Sequence, residues 1–163
     1  MEFDELYKND ADGIREMSAM ASEIVREHYD PIIGRKQNDY MLAMFQTEDA
    51  IKKQLDSGYR YFFVRNSGRN VGFMAFYPKK DSMYLSKFYL YRNERGKGYA
   101  RSMMGYVKDE AKKQGLGRIE LNVNKNNSAC RIYEALGLRM IRSEKNDIGS
   151  GYFMDDYVYG LDI

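Results

Sequence analysis

A mixed α/β fold, one sheet flanked by helices in a single domain over residues 1–163, is the fold class this sequence predicts. Three observations predict it. Apolar residues recur at helical spacing up to Gly58. From Tyr59 they gather into short β-like runs separated by turn residues. A glycine-rich stretch at residues 95–101 then separates a β-like run from a clean helical stripe.

The elements follow in order. Ile14, Met17, Ala21, Ile24, Val25 and His28 share one helical face, which predicts an amphipathic helix over roughly residues 11–29, ended by Asp30-Pro31. Tyr40, Leu42, Ala43, Met44 and Phe45 mark a second short helix. Thr47 is an N-cap residue for a third, which runs to about Ser57 and stops at Gly58. Tyr61-Phe62-Phe63-Val64 and Val71-Gly72-Phe73-Met74-Ala75-Phe76 read as a hairpin around Asn66-Ser67-Gly68-Arg69-Asn70, and residues 84–90 read as the next strand. After the glycine stretch, Ala100, Met103, Met104, Val107 and Ala111 form a helical stripe, with Lys112 and Lys113 suited to its C-terminal dipole and Gly115 to the position past its end. Residues 118–123 form a strand, residues 128–136 a short helix closed by Gly137, and residues 139–143 and 152–159 two last strands.

Composition narrows the function. Apolar residues make up 44% of the chain and charged residues 31%, which is ordinary for a globular protein, and no apolar run reaches the roughly 20 residues of a membrane span. A net charge of +2 offers no bulk support for nucleic-acid binding. His28 and Cys130 are single residues of their kinds, so no metal site is expected, and an unpaired cysteine suits a reducing cytoplasm. The acidic start Met1-Glu2-Phe3-Asp4-Glu5 lacks a signal-peptide core.

The stretch Arg95-Gly96-Lys97-Gly98-Tyr99-Ala100-Arg101 lies between a strand and a helix. Small residues there admit a ligand close to the backbone, and the helix N-terminus turns its N–H groups toward it, which suits a phosphate or pyrophosphate. A nucleoside-triphosphate loop needs Gly-Lys followed by Ser or Thr, which is missing. A dinucleotide loop needs a third glycine where Arg101 stands. Arg95-x-x-Gly98-x-Ala100 resembles instead the Q/R-x-x-G-x-G/A pyrophosphate loop of the GNAT superfamily of N-acetyltransferases. Downstream, the run from Asn126 to Leu138 is similar to that family's N-x-x-A-x-x-x-Y-E-x-L-G-F segment, with Leu138 in place of Phe. The two motifs together cover roughly residues 84–140.

The resemblance implies a mainly antiparallel central sheet of six to seven strands and acetyl-CoA (CoA) as donor. It implies that the backbone from Gly96 through Lys97, Gly98, Tyr99 and Ala100 to Arg101 cradles the pyrophosphate, with Arg95, Lys97 and Arg101 adding positive charge. It implies that Phe88, Tyr89 and Leu90 pair with the pantetheine arm as a neighbouring strand would, and that Asn126 holds the arm from the other side. Tyr133 occupies the position of the family's general acid. With 15 tyrosines in the chain, an aromatic packing role for Tyr133 stays open, as does a turn role for Asn126. A strand carboxylate used as base by some members is missing, since the strand reads Leu85-Ser86-Lys87-Phe88. Glu120, Asp155 or another group acting through water stays open as the proton acceptor.

The resemblance places the acceptor near the first helices and the C-terminal hairpin. There Tyr29, Asp30 and Asp155 combine carboxylates with aromatic faces, a chemistry suited to a cationic primary amine on a polyamine-like small molecule or a peptide. The expected reaction is direct attack in a ternary complex. A non-catalytic acyl-CoA sensor is the alternative, motivated by the missing carboxylate. No nucleic acid, metal or membrane partner is expected, and the exposed edge of the C-terminal hairpin would permit a homodimer.

Overall fold

The computed structural model describes residues 1–163. Seven strands form one sheet in the order β1-β2-β3-β4-β5-β7-β6. The strands are β1 (Glu2–Leu6), β2 (Arg60–Asn66), β3 (Arg69–Pro78), β4 (Met83–Leu90), β5 (Arg118–Asn124), β6 (Arg139–Gly149) and β7 (Tyr152–Asp162). The helices are α1 (Ala11–Ile33), α2 (Arg35–Phe45), α3 (Glu48–Asp56), α4 (Tyr99–Lys113) and α5 (Cys130–Ala135). The mixed, mainly antiparallel α/β architecture expected from the sequence is the one observed. No helix is long and apolar enough to cross a membrane. The chain divides into two compact units, one of Met1–Tyr77 with Lys87–Met103, the other of Pro78–Ser86 with Met104–Ile163.

In the first unit, Ile14, Met17, Ala21, Ile24 and Val25 of α1 pack with Leu42, Ile51, Tyr61, Phe63, Phe73 and Ala75 into a buried core. Three local devices shape the helices. Asp10 caps α1 by accepting from Gly13 N at 2.9 Å. Thr47 Oγ1 accepts from Ala50 N at 3.1 Å and starts α3 as the sequence predicts. Thr47→Ala is expected to cost about 0.5–2 kcal/mol in urea unfolding, because that N–H loses its only local acceptor. The third device departs from expectation. Helix α1 continues past Pro31 to Ile33, and Gly34 at φ 85° ends it while its N–H donates to Asp30 O at 3.0 Å. Proline removes one donor, but Asn38 Nδ2 of α2 ties the C-terminal part of α1 by donating to Val25 O at 3.3 Å and Asp30 Oδ1 at 2.8 Å.

Strand β1 was not expected. Its acids are poor strand formers, and its pairing is decided by β2. Asp4 lies opposite Phe63 and Glu5 opposite Phe62. Arg65 Nη1 reaches Asp4 Oδ2 at 2.7 Å, and Arg60 grips Glu5 with Nε at 3.0 Å and Nη2 at 2.9 Å.

In the second unit, the N-terminal part of β4 runs parallel to β5, with Met83 opposite Ile119 and Tyr84 opposite Glu120. Strand β5 alternates buried Ile119, Leu121 and Val123 with polar residues. It pairs antiparallel with β7 from Arg118↔Asp162 to Asn124↔Asp156. The β6–β7 hairpin is longer than the sequence suggested. Strand β6 is an edge strand, mostly exposed and charged, with irregularities at Met140/Arg142 and Asp147/Gly149, so it lacks the apolar alternation that reveals a half-buried strand.

Candidate active site

The glycine loop belongs to the first unit and is pinned at both ends. A 3-10 turn at Arg92–Glu94 precedes it. Glu94 is only 7% exposed, and its carboxylate accepts from Arg69 Nη2 at 2.8 and 2.9 Å and from Lys97 Nζ at 3.0 Å. Arg69 first and Lys97 second hold that carboxyl below its ordinary range. Arg95 Nη2 donates to Leu90 O at 3.3 Å, which fastens the loop to the end of β4. At the far end, Asn66 Nδ2 of β2 donates to the Tyr99 hydroxyl at 2.8 Å. Between these anchors Gly96 and Gly98 take φ of 77° and 84°, conformations that other residues adopt only with strain, and both have open space where a Cβ would stand. Gly96, Lys97, Gly98 and Arg101 are exposed. The loop therefore offers accessible backbone at the N-terminus of a 15-residue helix, where the first N–H groups have no intrahelical acceptor. That arrangement fits a pyrophosphate.

Strand β4 approaches the loop through Phe88, Tyr89 and Leu90, all partly buried. A Cβ on Gly72 of β3 would lie 2.1 Å from Tyr89 O and 3.0 Å from Leu90 Cα, so the two backbones meet at a separation only glycine permits. Tyr91 N donates to Val71 O at 3.0 Å just beyond. The Tyr89 ring lies 5.3 Å from Phe73 and 6.2 Å from Tyr29 of α1, so one residue expected at the acceptor touches one expected at the donor arm. Asp30 is engaged internally, by Asn38 Nδ2 at 2.8 Å and Arg26 Nη1 at 3.9 Å.

The second unit holds the other expected residues. Asn126 is exposed, and its N–H donates to Asn124 Oδ1 at 2.9 Å. The neighbouring Asn127 is the buried one, accepting from Ala129 N at 2.9 Å and shaping the turn into α5. Tyr133 is half-buried on α5, its ring 6.4 Å from that of Tyr159. The Tyr159 hydroxyl donates to Glu134 Oε1 at 3.0 Å. Burial first, then bonds to Glu134 and Cys130, push its phenol up from the ordinary tyrosine value. Tyr159 stays protonated beside Tyr133.

The unbroken β5–β7 register puts Asp156 and Val158 on the face opposite Tyr157 and Tyr159. On that face Tyr84 Oη donates to Asn122 Oδ1 at 2.9 Å. Asn122 Nδ2 in turn donates to Glu144 Oε2 at 3.2 Å and Asp156 Oδ2 at 3.3 Å. Asp156 is 3% exposed, and burial pushes its carboxyl above the ordinary range. Asn122 and Lys125 act the other way, while Asp155 and Glu144 add to the rise. Glu144, held by Arg142 Nε at 2.9 Å, is pulled below its ordinary range. The carboxylates considered from sequence are occupied. Asp155 Oδ1 pairs with Lys125 at 3.0 Å and Glu120 Oε1 with Arg142 at 3.3 Å.

Sequence reasoning missed Gly72, Glu94, Asn122 and Asp156. Gly72 had a signal, a glycine inside a strand pattern. For Asp155-Asp156, residue type could not tell which acid is buried.

Residues 20–138 match the model of the acetyltransferase (GNAT) family. None of the curated proteins matches the chain. Among solved structures, the chain is similar to the PaiA N-acetyltransferase of Thermoplasma acidophilum in complex with coenzyme A. The identity is 12%, all of both chains is covered and the TM-score is 0.76. A GCN5-related N-acetyltransferase from Rhodopseudomonas palustris superposes with a TM-score of 0.80 at 12% identity, over 99% of this chain and 95% of that one. The ribosomal-protein-S18-alanine N-acetyltransferase of Escherichia coli gives a TM-score of 0.59 at 21% identity, over 72% and 77% of the two chains. At these identities the likeness is one of fold.

Proposed function

Because the chain belongs to the GNAT acetyltransferase family, we propose that it moves an acetyl group from acetyl-CoA to a primary amine by direct attack in a ternary complex. The observation that carries this reading is the exposed Gly96–Gly98 backbone at the head of α4, anchored to β4 by Arg95. The loop N–H groups from Gly96 to Arg101 take the pyrophosphate. Lys97, whose ammonium is already paired with Glu94, contributes to the shape of the loop as well as to its charge. Phe88, Tyr89 and Leu90 accept the pantetheine arm along their backbone, and Asn126, exposed at its turn, holds the arm by its side chain. Acetyl-CoA supplies the activated acyl carbon and a thiolate leaving group.

Proton handling falls to the second unit. An alkyl ammonium with a pKa near 10.4 has to lose a proton before attack, at a cost of roughly 4–5 kcal/mol at pH 7. Asp156 is the proton acceptor in this reading. Burial raises its carboxyl above the ordinary aspartate range, and it accepts from Asn122 Nδ2 at 3.3 Å. Tyr133 donates to the departing thiolate.

The acceptor is a cationic amine, either polyamine-like or the amine of a peptide. Tyr29 beside Tyr89 offers an aromatic face to it, and Asp30 and Asp155 carry negative charge on their own elements. Spermidine, diamines and peptides with free amines, each mixed with acetyl-CoA and followed by thiol release, test this class. Turnover by none of them would refute it. Tyr133→Phe is expected to lower kcat by about 10²- to 10⁴-fold while CoA affinity, read by calorimetry, stays as it was. Unchanged turnover in that variant would reduce Tyr133 to a packing residue.

A further inference from the structure

Strand β4 carries a lysine that the proposed mechanism does not use. Lys87 immediately precedes Phe88, Tyr89 and Leu90, and its side chain is half-buried, with Nζ 5.5 Å from the centroid of the Phe45 ring at the end of α2. Lys79, Lys125 and Lys145 also lie over aromatic rings, at 4.2, 5.5 and 4.9 Å, but Lys87 is the lysine carried by β4. Lys8, Lys97, Lys113 and Lys125 reach carboxylates within 3.1 Å, and Lys36 and Lys52 are exposed.

We propose that Lys87 is an internal acceptor, its ε-amine taking the acetyl group from bound acetyl-CoA to become Nε-acetyllysine. The inference rests on the acetyl-CoA reading above, which lays the thioester arm along the strand that carries Lys87. Neutral Nζ attacks the carbonyl carbon, the new C–N bond forms and the C–S bond breaks. The nitrogen gives up one proton and the thiolate takes up one, leaving the amide and free CoA. No other reagent is required.

Two properties favour this lysine. Burial pushes its ammonium down to about 8. At pH 7 roughly one molecule in ten then carries the reactive neutral amine, against roughly one in 2,500 for an ordinary lysine. The product also suits the site. An acetamide is neutral, so acetylation relieves the desolvation of a half-buried cation and adds a methyl group on the side chain that lies over the Phe45 ring.

The test is to incubate the purified chain with acetyl-CoA and no acceptor amine. Intact mass and peptide mapping follow the product, and CoA affinity is measured in parallel. The expected result is one acetyl group at Lys87, appearing at least about tenfold faster than at Lys36 or Lys52. It should be slowed by saturating free CoA, lost in Lys87→Arg, and without site preference in the urea-unfolded chain. A chain that binds CoA and acetylates an added amine, yet modifies Lys87 no faster than Lys52, overturns this inference alone. A chain that binds no CoA overturns the acetyl-CoA reading and this inference with it.

Discussion

Asp156→Asn is expected to lower kcat by about 10²- to 10⁴-fold and, in the same molecule, to raise the melting temperature at pH 7. The two effects have one cause. Asp156 is 3% exposed, and burial lifts its carboxyl above the ordinary aspartate value. Below the unfolded value near 3.9 the group is protonated in both states and imposes no penalty. As pH rises through the interval up to the raised folded value, the unfolded chain ionises first and stability is lost. Above that value the loss is complete and constant. Asparagine keeps the shape and still accepts from Asn122, but it never ionises. The variant should therefore match the wild type in stability below about pH 3.9 and exceed it at neutral pH. As a base it has no function, so turnover falls while CoA affinity is retained. A variant with undiminished kcat would remove Asp156 from the chemistry. One with no stability gain at pH 7 would show that Asn122 and Lys125 already offset its burial.

Gly72→Ala is the second change with a large expected effect. The added Cβ would stand 2.1 Å from Tyr89 O and 3.0 Å from Leu90 Cα, both backbone atoms, so no side chain can turn aside to make room. Alanine would ordinarily help a strand by restricting the unfolded chain. Here overpacking outweighs that gain and costs about 1–3 kcal/mol or more, measurable as a fall in the urea midpoint. Relief requires β4 to move at Tyr89 and Leu90, the residues proposed to pair with the pantetheine arm, so CoA affinity should fall as well. Gly96→Ala and Gly98→Ala provide the contrast. A Cβ at either position meets nothing within 4 Å, and only the left-handed backbone resists it. Those variants should lose about 1–2 kcal/mol each. If Gly72→Ala proves as stable as the wild type with unchanged CoA affinity, the close approach of β3 and β4 has no such role.

The helical stripe of α4, the cap at Thr47 and the exposed glycine loop were legible because each depends on neighbours within a few residues. The end of α1 was misjudged at Pro31 because Asn38, from the next helix, secures the last turn. Strand β1 was invisible because its acids become strand residues only against Arg60 and Arg65 of β2. The basic loop residues read as a phosphate patch, but Lys97 and Arg95 also have internal acceptors, Glu94 and Leu90 O, that residue type does not disclose.

The sequence by itself determined the fold class and the family, and it supplied the segment proposed to take a phosphate-bearing donor. Periodicity and short glycine motifs are local properties, carried within one or two turns of chain. Tertiary structure decided which of two adjacent carboxyl groups is buried and which is paired with a lysine. Asp155 and Asp156 are adjacent and chemically alike. The two-residue period of β7 sends one to Lys125 and the other to a buried position on the face that carries Asn122. A strand shifted by a single residue would exchange their roles, and the register that prevents it lies in the pairing of β7 with β5, more than 30 residues away in the chain.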